Sequence, residues 1–118
     1  MKYMLLIYSN ESQDIDVTPE KMNEMIGAYN AYIQRLVDAG VFISTEALQP
    51  SATATTIKVR HGETLTTHGP FVETVEQLGG YFLLECDNLD AAIEWAAQCP
   101  GSYYGSIEIR PVMDYEQA

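Results

Sequence analysis

Gly79-Gly80-Tyr81-Phe82-Leu83-Leu84-Glu85-Cys86, followed by Asp87-Asn88-Leu89-Asp90-Ala91-Ala92-Ile93-Glu94-Trp95-Ala96-Ala97-Gln98-Cys99-Pro100-Gly101, is the stretch whose reading decides the fold. Tyr81 to Cys86 is a short apolar and aromatic run entered through two glycines, which predicts a strand. Asp87 or Asn88 offers a side-chain oxygen to the free N–H groups of a helix start. Leu89, Ala92, Ile93, Ala96 and Ala97 then recur at steps of three and four, the mark of a helix with one buried stripe. Pro100-Gly101 stops it, and Ser106-Ile107-Glu108-Ile109-Arg110-Pro111-Val112 reads as a strand after it. The second half of the chain is therefore strand, helix, strand.

Working outward, the first half repeats that order. Lys2 to Ser9 reads as a buried strand and Asn10 to Val17 as a polar loop. Thr18-Pro19-Glu20 combines a capping hydroxyl, a proline at the first helical position and an acid at the positive end of the helix dipole. Met22, Met25, Ile26, Tyr29, Ile33, Leu36 and Val37 form its expected apolar stripe, and Gly40 ends it. Val41-Phe42-Ile43 opens a strand running to about Leu48, broken by Gln49-Pro50-Ser51. Thr53 to Arg60 and Glu63 to Thr67 flank His61-Gly62 as a hairpin. His68-Gly69-Pro70-Phe71 is a loop, Val72 to Gln77 has no clear period, and the tail from Met113 is expected to be loose. The predicted fold class is α+β: a ferredoxin-like βαββαβ domain with an inserted β-hairpin.

Composition bounds the function. The 118 residues suit one domain, and 47% hydrophobic with 19% charged residues suits a packed core. Seventeen acids face six scattered bases, a net charge of −11. Phosphate backbones demand the opposite charge, so nucleic acid is excluded as a partner, as is RNA binding through the sheet. No apolar run reaches the ~18 residues of a membrane span, and the opening residues lack a small-residue cleavage site. Two cysteines, Cys86 and Cys99, make neither a disulfide framework nor a zinc site, and His61 and His68 lack metal-ligand spacing. A cytoplasmic protein with no metal and no cofactor is expected. Two helices cover only one face of such a sheet. The other carries some of Tyr3, Leu5, Ile7, Tyr81, Leu83, Ile107 and Ile109 or their neighbours, and a second copy is the simplest cover, so a homodimer through the sheet face is expected.

His68-Gly69-Pro70-Phe71-Val72-Glu73-Thr74-Val75-Glu76-Gln77-Leu78-Gly79-Gly80-Tyr81 resembles the signature of the YCII-related family, and more narrowly its DGPF branch, which typically reads D-G-P-F-x-E-T-K-E-x-L-G-G-Y/F. Tyr3–Tyr8, Leu48–Thr56, Leu89–Pro100 and Gly105–Val112 match further family segments, so nearly the whole chain is covered. The resemblance implies a dimeric α+β barrel, two ferredoxin-like protomers packed sheet to sheet. It implies little chemistry. Related dimeric barrels include muconolactone isomerases and a dehydrochlorinase of a hydroxylated ring, while some family genes adjoin sigma factors, which points to regulation. His68 replaces the branch's Asp. Another branch has a His–Asp pair whose His lies on the first helix. Here Pro19-Glu20-Lys21-Met22 has no His, so the pair is not carried over, and Asp38 is kept only as its matching carboxylate and a substrate-binding candidate.

Two functions follow as expectations. One is a cofactor-free enzyme transferring a proton in isomerisation or elimination on a cyclic or aromatic substrate. Here His68 is the base or acid, Glu73 its orienter, and Phe71 and Tyr81 pocket walls. It requires a cleft between sheet and helices that gathers His68, Glu73 and Tyr81. The other is a non-catalytic ligand-binding or regulatory homodimer, which requires an apolar pocket without converging titratable groups. The same residues have plainer readings: His68 as a solvated loop residue, Glu73 and Glu76 as caps or ion-pair partners of Arg60 or Arg110, and Phe71 and Phe82 as core or interface.

Overall fold

The computed structural model describes residues 1–13 and 17–115. The loop expected through 14–16 and the end of the expected tail lie outside them. Strand β1 (Lys2–Ser9) leads by a short 3₁₀ turn toward helix α1 (Pro19–Asp38), then β2 (Phe42–Ala47), β3 (Thr55–Arg60), β4 (Glu63–His68), β5 (Gln77–Glu85), α2 (Leu89–Gln98) and β6 (Ser106–Pro111). β2, β5, β1 and β6 form one antiparallel sheet in that order, and β3 pairs only with β4. With the hairpin set aside, each βαβ half places its two strands apart with a strand of the other half between them or beside them, which is the ferredoxin-like arrangement.

Local chemistry starts each helix as expected. The Thr18 hydroxyl accepts from the Lys21 N–H at 3.2 Å, and Asn88 Oδ1 accepts from the Ala91 N–H at 2.9 Å, so Asn88 rather than Asp87 is the cap of α2. The hairpin turns at His61 (φ 53°) and Gly62 (φ 78°), two successive left-handed residues that suit the twist of a two-residue β-turn.

The core lies between the helices and one sheet face. Tyr3, Leu5, Phe82 and Leu84 come from the strands, Cys86 from just beyond β5, Tyr32 and Leu36 from α1, Ala92 and Ala96 from α2, with Cys99 beyond it. Tyr32 meets Phe82 edge-on at 5.2 Å and donates its hydroxyl to the Trp95 carbonyl at 2.8 Å, pinning α1 to α2. Two stripes differ from expectation. On α1 the core-facing residues are Tyr32 and Leu36, while Met22, Ile26 and Val37 are exposed; on α2 they are Ala92 and Ala96, while Leu89, Ile93 and Ala97 are exposed. Spacing locates a stripe to within a residue or so, and packing decides which edge of it turns inward. Small alanines let α2 lie close to the sheet.

Alternation divides the sheet cleanly. Paired Tyr3–Leu84, Leu5–Phe82 and Ile7–Gly80 face the helices, and paired Met4–Leu83 and Leu6–Tyr81 face away. Of the residues named for the uncovered face, Tyr81 and Leu83 are on it, whereas Tyr3, Leu5, Ile7, Ile107 and Ile109 belong to the core or pack against it. The open face has an apolar centre of Met4, Leu6, Tyr8, Tyr81 and Leu83, with Ser44 and Glu46 toward one edge and Ser106, Glu108 and Arg110 toward the other.

Candidate functional site

A cleft of about 640 Å³ opens between α1 and the end of the sheet formed by β2 and β5. Its origin is in the sequence. β5 carries Gly79 at a bulge, where the β1 register slips between Ile7 and Tyr8, and Gly80 beside it, opposite Ala47 of β2. Those positions put no large side chain under α1. The close approach of β2 demands glycine there: a Cβ on Gly80 would stand 2.6 Å from the Glu46 carbonyl oxygen. Above this low floor lies α1, twice the length of α2, with Met22, Met25, Ile26, Tyr29 and Ile33 as the wall.

The rim is held by polar contacts. The Glu11 carboxylate accepts from the Ser51 N–H at 2.8 Å and from its hydroxyl at 2.6 Å, and the Glu11 N–H donates to Gln77 Oε1 at 2.9 Å. These bonds tie the loop after β1 to Pro50-Ser51 and to the start of β5. Inside, the Tyr29 ring stacks on Phe82 with centroids 6.2 Å apart. Burial, aided by the neighbouring Cys99 and Tyr104, holds the Tyr29 hydroxyl far above the ordinary phenol range, so it stays protonated. Burial likewise pushes the Cys99 and Cys86 thiols up, the reverse of what a nucleophile needs. Among the described lining residues there is no Lys, Arg, His or Cys, and the acids are Glu11, engaged at the rim, and the exposed Glu46.

A second hollow of about 550 Å³ lies at the root of the hairpin, lined by Tyr8, Ala54, Pro70, Phe71, Val72 and Leu78 among others. It shares Leu48, Pro50 and Gln77 with the first, so the two cavities wrap around the same end of the sheet.

The five site residues expected from sequence are dispersed. His68 ends β4, exposed on the hairpin opposite Thr55. Glu73 is exposed in the loop beyond it. Phe71 lines the second hollow, 73% exposed, with the Lys58 ammonium 4.8 Å from its ring centre. Tyr81 is on the open sheet face, its hydroxyl 3.4 Å from that of Ser44. Asp38 closes α1, accepting from Gln34 Nε2 at 2.9 Å, at the opposite end of that helix from the cleft. His68, Glu73 and Tyr81 line neither of the two cavities described: His68 lies on the hairpin, Glu73 in the exposed loop after it, and alternation turns Tyr81 away from the helices. Glu76 is not paired with an arginine but accepts from the Ser106 hydroxyl at 2.7 Å. Arg110 pairs instead with Glu108 at 2.9 Å.

Met22, Met25, Ile26 and the Gly79-Gly80 floor were not expected as a site. Their signal was present as an apolar stripe longer than the core requires, facing a strand segment without side chains. Among the described residues, no three His, Cys, Asp or Glu side chains converge as a metal site, and no helix is long and apolar enough to cross a membrane.

Comparison with known proteins gives the family. The model of the YCII-related domain matches residues 1–116. An uncharacterised protein of Rhizobium meliloti (strain 1021) is 33% identical over 118 residues, covering 98% of this chain and 95% of the relative. The segments that build the cleft floor, the capped helices and the closing strand all fall inside the match, and the chain belongs to the YCII-related family.

Proposed function

We propose that the protein is a small-molecule-binding homodimer whose ligand lies in the cleft between α1 and the Gly79-Gly80 floor. The observation that carries this reading is the cleft's lining: a broad apolar wall, a few hydrogen-bonding groups, and no cationic or thiol side chain among the described residues. Such a lining suits an uncharged, largely apolar molecule. It penalises an anion, which would be desolvated without a counter-charge. Support for the dimer comes from the open sheet face, whose apolar centre and polar margins have the anatomy of a self-association surface. The signature from Gly69 to Tyr81 assigns the chain, on this reading, to the DGPF branch. A catalytic role for His68 with Glu73 belongs to a second reading, in which the hairpin and the loop after it present them to another molecule, since neither lines the two cavities described above.

Thermal shift and calorimetry test the cleft. Neutral lactones and phenols should raise the melting temperature of the native protein, while carboxylate analogues of equal size should not. Ile26→Trp, at the half-exposed wall, should fill the cleft and abolish the shift without lowering the melting temperature of the free protein. Equal binding by the Ile26→Trp variant, or preference for the carboxylates, would overturn the assignment.

A further inference from the structure

The β3–β4 hairpin is an arm. Its strands pack principally on each other, and every residue of Thr55–His68 except Thr56 is exposed. The Cα radius of gyration is 16.5 Å, against about 13–14 Å for a compact domain of this length. A two-stranded hairpin without a packing partner is marginal in water.

Register sorts the arm into two unlike faces. Thr55, Ile57 and Val59 pair with His68, Thr66 and Thr64, so one face has no Lys, Arg, Asp or Glu and two β-branched aliphatics more than half exposed. Lys58, Arg60, Glu63 and Leu65 lie on the other face, where Phe71 covers Lys58. The arm holds two of the chain's six bases and only one of its seventeen acids, so it is net positive while the rest of the chain is more acidic than the whole.

We infer that this arm clasps the acidic body of a second copy of the chain, laying its Ile57 and Val59 face against the partner and bringing His68 into the contact. The inference rests on the homodimer reading above. Charge selects the occupant: the net positive arm complements the acidic body of a second copy, and Ile57 and Val59 give it exposed apolar surface to bury there.

The test places the photocrosslinker benzoylphenylalanine at position 59 of the full-length protein and measures its oligomeric state by light scattering. The expected result is a dimer whose crosslinks join two chains and map to the partner's body. A dimer crosslinked only within each chain overturns the arm contact and leaves the sheet-face dimer standing. A monomer overturns both. In an independent variant, Lys58→Glu with Arg60→Glu should weaken the dimer by about tenfold with an unchanged circular dichroism spectrum; an unchanged dissociation constant overturns the role of charge.

Discussion

Two tyrosines and one glycine show how much single residues decide here. Tyr32 has no exposed surface, and its hydroxyl bonds the Trp95 carbonyl. Tyr32→Phe leaves that carbonyl without its partner and should cost about 1–2 kcal/mol in urea denaturation. The native state also holds the Tyr29, Tyr32 and Cys99 protons beyond their ordinary ranges, burial being the main cause in each. Their raised values make this stabilisation complete below about pH 8, where the unfolded chain is also protonated. It is lost as the pH climbs, because the unfolded chain then gives up protons that the folded chain retains. The melting temperature should therefore fall from about pH 9 upward, with a shallower slope in Tyr32→Phe. At Gly80 the neighbour that a Cβ would strike is a backbone oxygen, which cannot rotate aside. Gly80→Ala should cost about 1–3 kcal/mol as β2 is pushed off β5, and should weaken ligand binding as the cleft floor rises.

At the scale of elements, the helices were legible because their ends are written in local chemistry. Thr18-Pro19 and Asn88 act within three residues of themselves, so no tertiary information is needed to read them. Asn88→Ala and Thr18→Ala should each cost about 1 kcal/mol, measured by chemical denaturation. The loss in α2 should be read as the more local of the two, because a ten-residue helix has few turns over which to spread it. The hairpin was legible for the same reason, since His61-Gly62 meets the turn's demand for left-handed residues. The faces of the helices were not. Met22 and Ile26 satisfy the same period as Leu36, yet one pair walls a cleft and the other residue is core. The difference is set by what lies beneath: Gly79-Gly80 under the first half of α1, and Phe82 and Leu84 under the second.

For the whole molecule, the sheet face opposite the helices is the feature with the largest consequence. Leu83 lies at its centre on β5, paired with Met4 and beside Ser44. On the homodimer proposed above, Leu83→Lys should give a monomer by light scattering, with its circular dichroism unchanged, because a lysine there reaches solvent in a single protomer but is buried in a sheet-to-sheet dimer. Persistence of the dimer in this variant would refute the open face as the interface.

By itself the sequence determined the order of elements, the helix caps, the hairpin turn and the family, all of which depend on residues near one another in the chain. Only the tertiary structure decided which side chains share a cavity. His68, Glu73 and Tyr81 stand within fourteen positions of each other, but a strand pair that leaves the sheet and the two-residue alternation of β5 send them in different directions. The cleft, by contrast, joins α1 to a glycine pair some fifty residues later. Nearness in space of that kind is set by sheet register and helix packing, which no local pattern of residues records.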